Sequence, residues 1–249
     1  VELTGNRLMR AEKLTVGLAD EQVRWKKSVE TLGYAIENLV GDIFISSACI
    51  SYYGPFTGVY RDKMVDRWIS ECKDLEIPIS EGSNLEATLG DPMQIREWQI
   101  DGLPKDAVST NNAIMVTRGK RWPLMIDPQE QAKTWIKRME GKHDLAATRI
   151  NDVNLLRTLE QTIRMGKPLL IEDIGENLDP ALESTLQKAT FVQGGRVLIR
   201  IGDSDVDYDP EFRMYISTKM PNPHYLPEVC IKVTIINFTV TTQGLEDQL

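Results

Sequence analysis

The chain has 249 residues, of which 41% are hydrophobic and 27% charged, with a net charge of -8 and a pI of about 5.0. This acidic balance argues against nonspecific binding to nucleic acid, because such binding needs a basic face that displaces counterions. The three cysteines are widely spaced with no C-x-x-C pair, and no apolar run approaches the roughly 20 residues that cross a bilayer. We therefore predict a globular protein with no nucleic-acid or membrane partner, and expect it to be part of a longer chain.

Residues 1–40 are predicted to form one long helix, because most of the recurring apolar residues are three, four or seven positions apart and no proline intervenes. Two interpretations stay open: an amphipathic helix packed on its own domain, or one strand of an antiparallel coiled coil that enters the domain. Gly41-Asp42 marks a predicted break, and residues 43–53 are expected to form a buried helix that Gly54-Pro55 ends. The recurring residues are Leu8, Leu14, Leu18, Trp25, Val29, Leu32, Ile36 and Leu39.

The middle of the chain is predicted to be helical. Residues 61–74 form an amphipathic pattern, residues 85–89 are a candidate short helix, and Gly102-Leu103-Pro104 indicates a turn.

From Ala113 onward, short apolar runs alternate with helical segments. Residues 113–117 and 122–126 are predicted to pair as a hairpin around Gly119, and Asp127 is a candidate cap of the helix that follows. Near-continuous apolar strands separated by helices indicate a parallel sheet buried on both faces, so we predict an α/β domain over residues 41–249. The other predicted strands are 145–150, 168–174, 197–201, 212–218 and 231–239, and the helices are 129–140, 153–165 and 180–187.

A strand, turn and helix over residues 122–135 stand where a nucleotide-binding loop would be expected. Aligned with the phosphate-loop pattern G-x-x-x-x-G-K-[ST], Asp127 and Ala132 replace the two glycines, while Lys133 and Thr134 keep their places. The glycines let backbone N–H groups turn toward phosphate, and Asp127 would add a negative charge there. The pattern predicts an NTPase module that has lost its site, with Lys133 as an ordinary surface lysine beside Glu130.

Glu172 and Asp173 follow an apolar strand and form the second site-like element. A working NTPase strand ends in Asp and then Glu, which hold the Mg²⁺ shell and align the attacking water. Here the order is reversed, which places the longer side chain at the metal, and an ordinary solvated strand end is the simpler interpretation. Ser217 or Thr218 would end a neighbouring strand near the γ-phosphate, a weak signal by itself.

Two further patterns fail as metal sites. The run from Asp203 to Glu211 is rich in aspartate, but an EF-hand loop that began at Asp203 would need glycine at Tyr208 and glutamate at Met214. We predict a solvated loop. The two histidines, His143 and His224, have no cysteine or acidic neighbours at metal-binding spacing, so no metal site and no catalytic residue are predicted.

Several stretches together resemble the motor region of the dynein heavy chain, a family of AAA+ proteins. In order and spacing they are similar to the fifth of its six AAA+ modules, and the segment after Ile126 is more similar to axonemal than to cytoplasmic heavy chains. The stretches are residues 38–42, 53–56, 122–129, 131–132, 166–173, 194–198, 199–203, 217–218 and 233–241.

This resemblance implies a P-loop-like large subdomain whose parallel sheet has five strands in the order 5-1-4-3-2, with residues 122–126 as the central strand. Residues 1–40 would be the base of the returning helix of the microtubule-binding stalk. The small helical subdomain and a strut would follow residues 243–249. This module would not hydrolyse ATP, so no cofactor is expected here, whereas ATP and Mg²⁺ would bind other modules of the parent motor.

The leading hypothesis is mechanical: a non-hydrolysing module of a minus-end-directed motor of the ciliary axoneme, which couples the ring to the stalk. Its partners would be neighbouring modules, the second stalk helix, microtubules, and dynein light and intermediate chains. One alternative is a cryptic regulatory NTPase that uses the retained Lys133 and Thr134 together with Glu172 and Asp173. The other is a plain interaction scaffold.

Overall fold

The computed structural model describes the backbone of residues 2–240 and the side chains of residues 17–240. A long amino-terminal helix enters an α/β domain through a π-helical turn, Cys49–Tyr53. The helices are α1 (Glu2–Ala48), α2 (Gly58–Asp74), α3 (Leu85–Leu89), α4 (Pro92–Ile100), α5 (Ala107–Arg118), α6 (Gln131–Glu140), α7 (Leu155–Met165), α8 (Glu183–Leu186) and α9 (Pro227–Cys230). The strands are β1 (Trp122–Ile126), β2 (Ala146–Arg149), β3 (Pro168–Glu172), β4 (Thr190–Gln193), β5 (Arg196–Ile201), β6 (Ser204–Asp207), β7 (Arg213–Thr218) and β8 (Val233–Asn237).

The main sheet has five parallel strands in the order β2-β3-β7-β1-β8. Counted along the chain within this sheet, that order is 5-1-4-3-2, which confirms the predicted topology. The expectation that residues 122–126 form the central strand is wrong: β7 is central, and β1 lies between β7 and the edge strand β8. Because the strands are parallel, the carboxyl ends of β1, β3 and β7 meet at one edge.

Side chains of the sheet enter two hydrophobic cores, one on each face. Met125, Leu170 and Ile236 pack with α5, α6 and the end of α1. Leu124 and Ile171, on the other face, pack with α7, α8 and the small second sheet. Each such buried side chain contributes roughly 1.5–3 kcal/mol relative to an exposed one. The α/β fold with helices on both faces is thus as predicted.

Two expectations about local structure are wrong. Residues 113–117 are not a hairpin strand but part of α5, which begins after Asp106, whose carboxylate accepts a hydrogen bond from the Ser109 N–H at 2.9 Å. A short apolar run fits a buried helix as well as a strand. The aspartate-rich run is not a loop: its first half is β6, which pairs with β5 in a three-stranded antiparallel sheet with β4.

The predicted helix break at Gly41-Asp42 is also wrong, because α1 continues through it to Ala48. Gly41 is instead a point of close approach: its N–H donates to the Pro78 carbonyl at 3.2 Å. A Cβ atom there would lie 2.3 Å from that carbonyl oxygen. Asp42 accepts hydrogen bonds from the Ser80 N–H at 3.0 Å and hydroxyl at 2.6 Å. Residues 41 and 42 therefore dock α1 on the domain.

A stripe of apolar side chains on α1 is exposed and does not pack on the domain. From Trp25 onward they follow a strict alternation of four- and three-residue spacings, typical of a coiled-coil seam. Ile36 is 70% exposed, whereas Ile45 is fully buried against the domain. Nine residues are two and a half helical turns, so these two side chains project from opposite sides. The seam, between 42% and 70% exposed, consists of Trp25, Val29, Leu32, Ile36, Leu39 and Ile43.

Two predicted features lie outside the described structure: the side chains of Leu8 and Leu14, and residues 243–249. The division of the chain at residue 40 stays a prediction. Between residues 2 and 240, no helix combines the length and apolar character needed to cross a membrane.

Candidate functional site

The candidate site is the loop between β1 and α6, at the carboxyl edge of the main sheet. Asp127 is 2% exposed, and its carboxylate accepts hydrogen bonds from the N–H groups of Gln131 at 2.9 Å and Lys133 at 2.8 Å. Burial raises the pKa of Asp127, and the N–H groups of Lys133, Ala132 and Gln131 oppose that shift. N–H groups at a helix start are the natural ligands of phosphate. Here a carboxylate of the chain itself occupies them.

The Lys133 side chain is not an isolated surface lysine. It forms an ion pair with Glu130 and is only 15% exposed. Lys219 contacts the same carboxylate oxygen of Glu130 at 2.6 Å. Hydrogen bonds from Lys133 and Lys219 lower the pKa of Glu130 to about 2, so this carboxylate stays charged. The cation that a phosphate loop would offer to a nucleotide is thus paired within the loop.

The remaining loop positions also have local partners. The hydroxyl of Thr134 donates to the Glu130 carbonyl at 2.7 Å, and Ala132 is buried. Glu130 itself has a φ of 59°, a left-handed conformation that is uncommon for a residue with a side chain. The loop therefore forms a turn, held closed by the hydrogen bond from the Glu130 N–H to the Asp127 carbonyl at 3.2 Å.

Glu172, the last residue of β3, and Asp173 share Arg149 as a partner, and each also pairs with a lysine. Glu172, 6% exposed, forms an ion pair with Lys137 and lies 4.0 Å from Arg149. Asp173 has a φ of 56° and contacts Arg149 at 3.7 Å and Lys219 at 3.6 Å. The simpler interpretation, a solvated strand end, is therefore wrong for Glu172, which is buried and neutralised by basic side chains.

Thr218 lies at the carboxyl end of β7, next to the loop. Its carbonyl accepts a hydrogen bond from the Asp127 N–H at 2.9 Å. Its hydroxyl donates to the Ile174 carbonyl at 2.8 Å and accepts from the Met220 N–H at 3.2 Å. The Ser217 carbonyl accepts from the Ile174 N–H at 3.1 Å. Both residues hold the strand ends together, and the Thr218 hydroxyl is fully engaged.

Comparison with known proteins identifies the family. Residues 96–249 match a family described as the ATP-binding dynein motor region, and residues 1–71 match the microtubule-binding stalk of the dynein motor. The chain belongs to the dynein heavy-chain family. Human dynein axonemal heavy chain 6 is 58% identical over 99% of the chain, and human dynein axonemal heavy chain 1 is 47% identical over 98%. A Chlamydomonas reinhardtii relative, the dynein-1-beta heavy chain of the flagellar inner arm I1 complex, is 46% identical over 98%.

This chain spans only about 6% of the length of the human dynein relatives. Since the family is described as ATP-binding, the loop can be tested for its fit to a nucleotide. A phosphate would need the N–H groups that Asp127 holds and the ammonium that Glu130 holds. As this dynein segment folds, those groups do not fit a phosphate.

Other candidate residues of this dynein chain form no shared site. His143 contacts Glu140 at 2.9 Å, and the backbone N–H of His224 donates to Glu176 at 2.9 Å. In the described part of the chain, no three His, Cys, Asp or Glu side chains form a group that could hold a metal ion. Asp205 in the aspartate-rich run is paired with Arg200 at 2.8 Å.

Sequence reasoning missed the basic residues that close the edge of the sheet: Lys219, Arg149 and Lys137. A signal was present for two of them. Arg149 ends β2, and Lys219 directly follows Thr218 at the end of β7. Because the carboxyl ends of parallel strands converge, both belonged among the candidates. Lys137 projects from α6, and only the packing of that helix brings it to Glu172.

Proposed function

We propose that the chain is a non-hydrolysing AAA+ module of a dynein heavy chain, which rigidly joins the motor ring to the base of the stalk. One observation carries the first half of this proposal: the buried Asp127 carboxylate occupies the N–H groups that would otherwise bind phosphate. Hydrolysis needs a bound nucleotide, a positioned metal and an activated water. Because the Asp127 carboxylate already accepts hydrogen bonds from the loop N–H groups, the loop does not offer those N–H groups to a nucleotide phosphate.

The geometry of α1 supports the second half. Over residues 36–45, one side of the helix packs on the domain and the opposite side exposes the apolar seam. A second helix on that seam would hold the base of the stalk between itself and the domain. The seam continues for several turns beyond the docked residues, so a movement of the domain would displace the whole helix pair. Rigid packed elements transmit displacement in this way.

The assignment to the axonemal subtype rests on similarity. The relatives include axonemal heavy chains from human and mouse and a flagellar inner-arm chain. We place this chain in the fifth module of the ring, in an ATP-driven, minus-end-directed motor of the ciliary axoneme. Its partners there would be the neighbouring modules, the second stalk helix and, through the whole motor, microtubules and light and intermediate chains. ATP and Mg²⁺ would act in other modules.

A cryptic regulatory NTPase is the second candidate, and the retained Lys133 and Thr134 favour it. The pairing of Lys133 with Glu130 and the hydrogen bond of Thr134 within the helix oppose it. A plain interaction scaffold would share the exposed seam of α1 but would not need α1 to be firmly docked. The docking contacts of Gly41 and Asp42 therefore favour the mechanical proposal.

The proposal is tested by Leu39→Pro in the full-length heavy chain, because proline breaks the helix next to the docked residues. We expect the variant to bind nucleotide at its active modules but to lose the dependence of microtubule affinity on nucleotide. The measurements are the ATPase rate with and without microtubules and the microtubule affinity in each nucleotide state.

Glu37→Ala is the control, since Glu37 is exposed on the same helix and the change preserves helical propensity. It should behave as the unmodified motor. If Leu39→Pro leaves the nucleotide dependence of microtubule affinity intact, the coupling proposal is wrong.

A further inference from the structure

The corner between α1 and α2 contains a buried arginine. The chain leaves α1 through the π-helical turn Cys49–Tyr53, turns at Gly54 and Pro55, and enters α2. Arg61, in the first turns of α2, is 2% exposed and lies under this corner. Pi-helical turns are rare and frequently mark functional positions.

The Arg61 guanidinium contacts several residues of the corner at once. Its Nε donates to the Phe56 carbonyl at 2.8 Å, and its Nη2 donates to the Gly54 carbonyl at 2.7 Å. The guanidinium carbon lies 5.0 Å from the centre of the Tyr53 ring, a cation–π contact. Three of the four residues from Tyr53 to Phe56 therefore contact one side chain.

The same side chain reaches the main sheet through Asn112. Arg61 Nη1 donates to Asn112 Oδ1 at 2.7 Å, and Asn112 Nδ2 donates to the Asn237 carbonyl at 2.9 Å. Asn237, the last residue of β8, returns two bonds: its N–H donates to the Gly54 carbonyl at 2.9 Å and its Nδ2 to the Pro55 carbonyl at 3.2 Å. We call Arg61, Asn112 and Asn237 the corner clasp.

The corner clasp buries the charge of Arg61, which is unfavourable for stability. Among the described side chains, Arg61 has no carboxylate within 4.0 Å. Burial accordingly lowers the pKa of Arg61. A buried charge without an opposite charge is a poor source of stability, whereas its planar donors fix the geometry of several acceptors at once. At Gly54, a Cβ atom would lie 2.2 Å from the Ile235 carbonyl, so the corner lies directly against β8.

The clasp is also next to the closed loop. Asn237 is the register partner of Ile126, and the Phe238 N–H donates to the Ile126 carbonyl at 2.9 Å. Ile126 directly precedes Asp127. The corner at the base of α1 contacts β8, and β8 pairs directly with β1, which leads into the loop before α6.

We propose that Arg61 is a positioning residue that locks the base of the long helix to the end of β8, so that the helix and the carboxyl edge of the sheet move as one body. This inference rests on the proposed function, because it assigns the coupling of ring and stalk to a specific set of contacts. The Arg61 guanidinium donates hydrogen bonds to the corner and to Asn112 of α5, which in turn contacts β8. A side chain with fewer directed donors cannot join all three elements.

The test compares Arg61→Lys and Arg61→Met with Arg67→Met in the full-length heavy chain. Arg67 lies on the same helix, is exposed and contacts only Glu71 among the described ion pairs. The readouts are basal ATPase, microtubule-stimulated ATPase, and the ratio of microtubule affinities in two nucleotide states. Proteolysis and thermal unfolding verify that each variant is folded.

We expect Arg61→Met to reduce the nucleotide-dependent affinity ratio at least about fivefold, with basal ATPase near that of the unmodified motor. Arg61→Lys keeps the charge but not the fork of donors, so it should show a smaller loss of the same kind. Arg67→Met should change nothing. If Arg61→Met does not fold, Asn112→Ala takes its place, because it breaks the link to β8 while Arg61 keeps its bonds to the Gly54 and Phe56 carbonyls.

A folded Arg61→Met or Asn112→Ala motor with an unchanged affinity ratio would overturn the clasp. The outcome for Leu39→Pro separates the two proposals. If Leu39→Pro uncouples the motor and the clasp variants do not, the mechanical function stands and the clasp is wrong. If neither uncouples it, both are wrong.

Discussion

The closed loop after β1 and the exposed seam of α1 differ in whether the chain satisfies them by itself. In the loop, the N–H groups of Gln131 and Lys133 have a partner in Asp127, and the Lys133 ammonium has a partner in Glu130. On the seam, Trp25 and Val29 are each 69% exposed on a helix of 47 residues. The site that would bind a small molecule is filled from within, and the surface that would bind a protein is left open.

This difference indicates that the exposed seam of α1, and not the loop after β1, is the surface that binds a partner. Exposed apolar side chains in a continuous stripe mark a protein interface, whereas fully paired polar groups need no ligand. The contrast supports a module whose inherited nucleotide site has become structural while its helix serves assembly.

The largest expected effect separates the two faces of α1. Ile45→Ala should lower the free energy of unfolding by about 2–5 kcal/mol, because Ile45 is fully buried against the domain. Ile36→Ala removes the same atoms from the exposed seam and should change stability by no more than about 0.5 kcal/mol. Urea unfolding of both variants measures the difference. Equal losses would mean that the seam packs on the domain after all.

A second comparison sharpens the assignment of the docking point. Gly41→Ala places a Cβ atom against the Pro78 carbonyl and should destabilise the chain by about 1–3 kcal/mol. Gly33→Ala, on the same helix with nothing within 4 Å of the added atom, should stabilise the helix by about 1 kcal/mol. Thermal unfolding checks both signs, and stabilisation by both changes would contradict docking at Gly41.

The closed loop can be opened by a single change. Asp127→Gly frees the N–H groups at the start of α6, so we expect binding of Mg-ATP to strengthen at least about tenfold, or about 1.4 kcal/mol. Calorimetry measures it. Asp203→Gly makes the same chemical change on an exposed turn and should have no such effect. If the Asp127 variant gains no affinity, the carboxylate is not what closes the site.

The smallest effect concerns acid stability at the helix base. Partial burial pushes the pKa of Asp42 up, but hydrogen bonds from Ser80 and Ser83 together outweigh that effect and leave the pKa below its usual value. The contribution of Asp42 is therefore present above about pH 3.8 and is lost as the pH falls through the lower folded value. Asp42→Asn should cost stability at pH 7 and progressively less below pH 3.8. If the difference in unfolding free energy between Asp42→Asn and the unmodified chain does not narrow in acid, the Asp42 carboxylate does not contribute to stability in this way.

The sequence was sufficient for the parallel sheet, because β1 and β3 are short, buried, largely apolar runs that each lie between two helices. The sequence was not sufficient to predict α5, because the longest apolar stretch of that helix, residues 113–116, has the length of a strand. Nor could it distinguish Gly41 as a contact point from Gly41 as a helix break, because both uses require a residue without a side chain. That distinction depends on the Pro78 carbonyl, 37 residues away in the chain.

The candidate site was predicted only in part, because some of its contacts join residues that are distant in the chain. The loss of both loop glycines and the negative charge at Asp127 were visible as a local pattern. The pairing of Glu130 with Lys219 was not, because the two residues meet only when β7 lies beside β1. Arg61 was missed entirely, since a buried arginine without an acidic partner has no distinct sequence signature.

The most direct test of the central claim is a calorimetric titration of the purified chain with Mg-ATP and Mg-ADP, with Lys133→Ala measured alongside. We predict no binding heat up to millimolar nucleotide in either protein, because the donors of the loop are already engaged in hydrogen bonds and an ion pair. Saturable binding that Lys133→Ala abolishes would contradict it, and this module would then be a regulatory nucleotide site.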